Sequence, residues 1–153
     1  MDDLTELYQQ VILDHNRRPR HFGPLAAATS SANGYNPVCG DRITVHVRVA
    51  DGSVADATFE GSGCAISRAS ASLMTDAVIG RPVADADRLF KEFQAMVTTN
   101  PAVAIPKELS AALGKLVALG GVRAFPSRIK CATLSWHAFH AALGSSNNPV
   151  TTE

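Results

Sequence analysis

The strongest constraint on the fold is an alternation in the middle of the chain. Ile43, Val45, Val47 and Val49 alternate with Thr44, His46, Arg48 and Ala50. Side chains of an extended strand point to opposite faces in turn, so this segment reads as a strand with one face buried and one wetted. Asp51-Gly52 is a hairpin turn signal, and a return strand over 54–60 puts Ala55, Ala57 and Phe59 on one face. A hairpin with one apolar face cannot stand alone in water and needs a covering layer.

The rest of the chain supplies that layer. Leu4, Leu7, Tyr8, Val11 and Ile12 recur at helical spacing over 4–18, and Pro19 ends the segment. A second helix starts at Cys64, carries the stripe Ile66, Ala69, Leu73, Met74 and Ala77, and closes at Gly80 before Pro82. Further helices are expected over 84–97, over 108–119 up to Gly120-Gly121, and from about 126 to 143. The last of these carries Ile129, Trp136, Phe139 and Leu143 as its stripe. Residues 22–41 read as loop with a short strand around 34–38, and 98–106 as a linker with two prolines. Such segregated elements predict an α+β fold: a small antiparallel sheet of about three strands with helices on one face. A single domain over 1–143 and a flexible tail over 144–153 are expected.

Fourteen basic residues balance fourteen acidic ones. A neutral chain gains little from a polyanion, so neither a general nucleic-acid binder nor a membrane-surface binder is expected. No apolar run approaches the ~20 residues of a membrane span. The start, Met1-Asp2-Asp3, has no basic segment leading into an apolar one, so a cytoplasmic protein with reduced thiols is expected.

The three cysteines then remain for packing, metal binding or chemistry. Cys39 precedes the first long strand and Cys64 follows the second, so the hairpin returns both to one end of the sheet. Cys39 and Asp41 are two residues apart and would share a side if extended. Cys64 opens a helix, where free N–H groups and the dipole favour a thiolate, with Arg68 one turn on. Cys131 is distant in sequence. Three thiols and one carboxylate number the four ligands of a tetrahedral zinc site, and soft sulfur donors select zinc, Cu(I) or iron–sulfur clusters. Spacing alone leaves open that the cysteines are small buried hydrophobes. Gly40, Gly61 and Gly63, beside two of them, favour a site where the backbone approaches something closely.

Local words in the sequence carry a resemblance. Leu7-Tyr8, then Ile12-Leu13-Asp14-His15 and Pro19-Arg20, resemble the first helix of the NifU/IscU-like iron–sulfur assembly family. Asn36-Pro37-Val38-Cys39-Gly40-Asp41 resembles its first cysteine motif, and Phe59-Glu60-Gly61 through Cys64 to Ser72 its second. Arg128-Ile129-Lys130-Cys131-Ala132-Thr133-Leu134-Ser135-Trp136 resembles the third region as the SufU branch has it. Lys130 stands where the IscU branch has histidine, the chaperone-docking sequence of that branch is missing, and 66 residues separate Cys64 from Cys131. The resemblance implies a SufE/NifU-like fold and zinc held by Cys39, Asp41, Cys64 and Cys131. It further implies that Cys39 accepts persulfide sulfur from a SufS-type cysteine desulfurase and that sulfur passes on to the Suf cluster-building machinery. Such a chain is a sulfurtransferase-like carrier, a co-substrate as much as an enzyme. The alternatives are a scaffold that assembles a [2Fe–2S] cluster on the same ligands and, in another class, a structural zinc module for protein binding. A monomer is expected.

Arg128, three residues before Cys131, is a candidate to lie against the metal site and balance its negative charge; a solvated arginine is the alternative. Lys130 is expected in solvent. His137 and His140 have metal-pair spacing but no place in the motif. His15, Arg17, Arg18, Arg20 and His21 cluster at a helix end, where cations complement the dipole; a desulfurase-docking surface is the alternative reading.

Overall fold

A computed structural model describes residues 3–144 and 150–151. The order is α1 (Asp3–Arg17), β1 (Ser30–Asn36), β2 (Asp41–Ala50), β3 (Ser53–Ser62), α2 (Ala65–Val78), α3 (Val83–Val97), α4 (Lys107–Leu113), a 3₁₀ segment (Gly114–Ala124), α5 (Pro126–Leu143) and β4 (Val150–Thr151). The sheet order is β3-β2-β1-β4, with β1, β2 and β3 antiparallel and β4 parallel to β1. The α+β class and the three-stranded antiparallel sheet agree with the sequence reading. No helix among the described residues is long and apolar enough to cross a membrane.

The alternation in β2 behaves as its pattern requires. Ile43, Val45 and Val47 are buried and face the helices, while Arg42 on the other face is exposed. α5 lies across β1 and β2, and α2 packs between α1 and α5. Trp136 and Phe139 of α5 and Phe93 of α3 are fully buried, with Trp136 stacked on Phe93 at 4.6 Å. Aromatic burial of this kind dominates the core's stabilisation.

Four details differ from the sequence reading. The register between β2 and β3 shifts at Arg48/Val49, so Val54 rather than Ala55 is buried beside Ala57 and Phe59. Such an irregularity reverses the facing of the residues beyond it. β1 starts at Ser30 and ends at Asn36, where a later, shorter strand was expected. Its Ser, Asn and Gly residues are poor strand formers, and full pairing with β2 overrides them. The helix expected over 108–119 stops at Leu113, because Gly114 adopts φ 56° and the chain continues as 3₁₀ turns. Of the tail expected over 144–153, residues 145–149 and 152–153 lie outside the described residues, and Val150–Thr151 add the short parallel strand to β1.

Candidate metal centre

The cysteines meet where the hairpins end. Residues 37–40 form the turn between β1 and β2, closed by the Gly40 N–H donating to the Asn36 carbonyl at 2.8 Å. Gly40 takes φ 73°, a left-handed conformation that glycine adopts without a Cβ penalty. Cys39 is thus carried on an exposed turn rather than on an extended segment, while Asp41 begins β2 fully buried. Cys64 follows β3, the antiparallel partner of β2, and so lands at the same edge. α5 brings in Cys131, buried at 2% exposure, from 67 residues further on.

Ligand-type atoms of Cys39, Asp41 and Cys131 all lie within 4.8 Å of one another. Cys131 Sγ is 3.2 Å from Cys39 Sγ. Cys64 stands at the edge of this group, its Sγ 3.9 Å from Asp41 Oδ2. Donors held at about 2.3 Å around a tetrahedral ion sit roughly 3.8 Å apart, so these separations suit one small cation. The donor chemistry also fits: three sulfurs and one carboxylate oxygen match a soft or borderline metal rather than magnesium or calcium.

Each donor is oriented by backbone or by a neighbour. Asp41 Oδ1 accepts the Cys64 backbone N–H at 2.8 Å, and Oδ2 accepts Asn36 Nδ2–H at 3.1 Å. Gly63 makes room for this contact, because a Cβ there would fall 2.5 Å from Asp41 Oδ1. Asn36 is itself fully buried and its Nδ2 also lies 3.4 Å from Cys131 Sγ. One amide therefore steadies two prospective ligands, which is the supporting role that outer groups play around metals. Sequence reasoning quoted Asn36 as part of a motif without giving it a role. Its signal was a polar side chain at the end of a strand whose alternation points inward.

The thiols differ in acidity. Cys64 caps α2, accepting the Ser67 N–H at 3.4 Å. Hydrogen bonding from Cys131 is the largest influence lowering Cys64, to about 7; burial opposes it and the Ser67 N–H assists. For Cys131 the same hydrogen bond pushes the pKa up, and burial and Cys39 add to the rise. Between these two, the shared hydrogen bond favours the charge on Cys64 and the proton on Cys131. A thiolate at a helix start is favoured by the free N–H groups and dipole there.

The other sequence candidates separate clearly. Arg68 carries its guanidinium over the Phe22 ring, 5.6 Å from its centroid. Arg128 is exposed at the start of α5 and stacks on Phe125 at 4.2 Å. Burial raises the Tyr8 phenol's pKa, while the charge and hydrogen bond of Arg128 oppose it and Cys64 and Cys131 reinforce it. Tyr8 is thus near enough to Arg128 and to the cysteines to feel their charge. Lys130 is half-buried. His137 lies against Phe90 and His140 bonds Asp87 at 2.9 Å, so the pair fastens α5 to α3. His15 is buried with Nδ1 2.7 Å from Ser72 Oγ, and Arg20 pairs with Asp14 at 2.8 Å. His15 therefore joins α1 to α2 and is no part of a surface patch.

Comparison with known proteins gives the chain its family. The model of the NifU-like N terminal domain matches residues 7–143. The chain is 42% identical over 150 residues to an iron-sulfur cluster assembly scaffold protein IscU of Streptococcus pyogenes serotype M1, covering 97% of this chain and 89% of that one. It is 44% identical over 136 residues to the zinc-dependent sulfurtransferase SufU of Bacillus subtilis (strain 168), covering 89% and 88%. A candidate iron-sulfur cluster assembly scaffold protein for the SUF system from Fervidobacterium islandicum AW-1 superposes with a TM-score of 0.80 at 28% identity, covering 90% and 97%. By sequence and by fold, the chain belongs to the NifU-like N terminal domain family.

Proposed function

We propose that this chain serves iron–sulfur cluster assembly as a zinc-dependent sulfur carrier, taking sulfur from a cysteine desulfurase onto Cys39. Likeness to a zinc-dependent sulfurtransferase along most of both chains supports the activity. One structural observation supports the choice of acceptor: Cys39 is exposed, Cys64 half-buried and Cys131 buried. Only a thiol on an exposed turn can meet a sulfur carried by a second protein.

Cys39, Asp41, Cys64 and Cys131 are the residues that would hold zinc, and the ion would supply a positive charge that keeps the thiols deprotonated. Cys64 and Asp41 remain tied to each other through the Cys64 N–H, so the turn carrying Cys39 can move while the rest of the cluster stays in place. The Cys39 thiolate attacks the outer sulfur of the donor's persulfide. A new S–S bond forms on Cys39, the donor's S–S bond breaks, and the donor cysteine leaves as thiolate. The sulfur then goes to the cluster-building machinery, in the cytoplasm.

The test mixes the zinc-loaded protein with a SufS-type desulfurase and cysteine, without reductant. Faster alanine release and one added sulfur on Cys39 by mass spectrometry are expected. Cys39→Ala should abolish both, and unchanged stimulation by that variant would refute the assignment.

A second reading, cluster assembly on the same four residues, is favoured by likeness to a scaffold protein over 97% of this chain. It requires a brown [2Fe–2S] form after anaerobic reconstitution that passes its cluster to an apo-acceptor. A colourless product retaining its zinc would count against it.

A further inference from the structure

A cavity of about 350 Å³ opens between α1, the 3₁₀ segment and the start of α5. Tyr8, Gln9, Arg123, Phe125 and Arg128 line it, with the Gly120-Gly121 backbone at one wall. The Tyr8 ring packs closely on Gly121, where a Cβ would fall 2.9 Å from Tyr8 Cγ.

The charge in this cavity is one-sided. Arg123 donates Nε–H to the Gly120 carbonyl at 2.9 Å and an Nη–H to the Val103 carbonyl at 2.8 Å. Those bonds fix the guanidinium without neutralising it. Arg128 rests on the Phe125 ring at 4.2 Å, which orients the cation and likewise leaves its charge. Among the described residues, neither arginine forms an ion pair with a carboxylate. α5 adds its positive end: it begins at Pro126, with no side-chain cap from Phe125 before it and no acidic residue in its first turn. Pro126 has no N–H, and the N–H groups of Arg128 and Ile129 bond the Phe125 carbonyl at 2.8 and 3.1 Å, so it is chiefly the dipole of this 18-residue helix that favours an anion there. Two pre-oriented guanidiniums and a phenol, beside the positive end of a helix dipole, are a donor set that binds an oxygen anion through several hydrogen bonds.

We propose that this cavity is a binding site for a small oxyanion, held between Arg123 and Arg128 with the Tyr8 hydroxyl as a further donor. The ligand class is one with at least two anionic oxygens, of sulfate, phosphate or carboxylate type. The volume admits such an ion with a modest organic part and excludes a folded element of a partner. The site is separate from the four prospective metal ligands and stands whether those residues carry zinc, a cluster or neither.

The probe is inorganic sulfate, titrated into the zinc-loaded full chain in a chloride buffer of constant ionic strength. NMR shifts of the arginine Nε–H groups and the backbone near Tyr8 and Gly121 report binding, with zinc content followed in parallel. Saturable one-to-one binding with shifts confined to this cavity is expected. Arg128→Gln and Tyr8→Phe should weaken it, the arginine change by at least tenfold, while zinc content stays constant. Arg123→Gln should do the same; because Arg123 also braces three backbone carbonyls, those of Gly120, Asn100 and Val103, Arg128→Gln decides the matter where that variant fails to fold. Absence of saturation, equal shifts with added chloride, or unchanged affinity in folded Arg128→Gln would overturn the site. None of these outcomes depends on sulfur transfer to Cys39.

Discussion

The Asp41 carboxylate accepts the backbone N–H of Cys64 at 2.8 Å, although the two lie 23 positions apart in the sequence. This bond fastens the start of β2 to the start of α2 and fixes the floor on which three thiols gather. A buried carboxylate needs such donors, since burial without them is costly.

Removing that carboxylate should therefore cost stability even without metal. Asp41→Ala strands the half-buried Cys64 N–H and leaves the buried Asn36 Nδ2 only its contact with Cys131 Sγ. Each stranded donor costs about 1–3 kcal/mol. Urea unfolding of the chelator-treated variant should show a loss in this range, and an unchanged midpoint would mean that water replaces the carboxylate fully.

Asn36 gives a test of ligand support rather than ligation. Its amide reaches both Asp41 and Cys131 but would not bind metal itself. Asn36→Ala should fold and should weaken zinc retention by about 10–100-fold, as loss of outer support does. Competition with a chromophoric chelator measures this directly. Retention equal to wild type would show that the amide is dispensable.

Metal removal should loosen the cysteine end of the sheet. The proposed ligands come from a turn, a strand start, a helix cap and a distant helix, so only a bound ion or the fold itself would hold them together. Zinc-loaded protein should melt higher than chelated protein, by a margin that grows with free zinc. Hydrogen exchange should rise on chelation at 37–41 and 62–67 and remain slow in α5 around Trp136. Uniform acceleration would point to global destabilisation instead.

Acidification should destabilise the protein through His15. Burial lowers its pKa, and the Arg20 charge adds to the fall. The unfolded chain therefore binds a proton that the folded chain refuses. His15's contribution is fully present above the unfolded value of about 6.5 and is lost as pH falls through the lower folded value. His137 is lowered in the same sense by burial and by His140. Replacing His15 with Gln should flatten the decline in stability between neutral and mildly acid pH. A slope identical to wild type would assign the effect elsewhere.

How far the sequence could be read depends on where each element takes its stability. The β2 alternation and the Asp51-Gly52 turn are local and strong, and the observed β2 and β3 follow them. β1 was legible only in part, because Ser30–Asn36 owes its extended form to pairing with β2 along its whole length. The break after Leu113 hinges on one glycine, which helical periodicity does not register.

The site divides in the same way. The sequence by itself determined that Cys39, Asp41 and Cys64 share one end of a sheet, because a hairpin returns the chain to its origin. It also determined that Cys64 starts a helix, which the capped N-terminus of α2 bears out. Only the tertiary structure decided that Cys131 joins them, since helix packing across β1 and β2, not spacing, carries it there. Packing likewise decided that Cys39 is the exposed thiol, that Asn36 braces two of its neighbours, and that Arg123 and Arg128 enclose one cavity. Exposure and convergence are properties of the assembled surface, and local pattern holds no record of them.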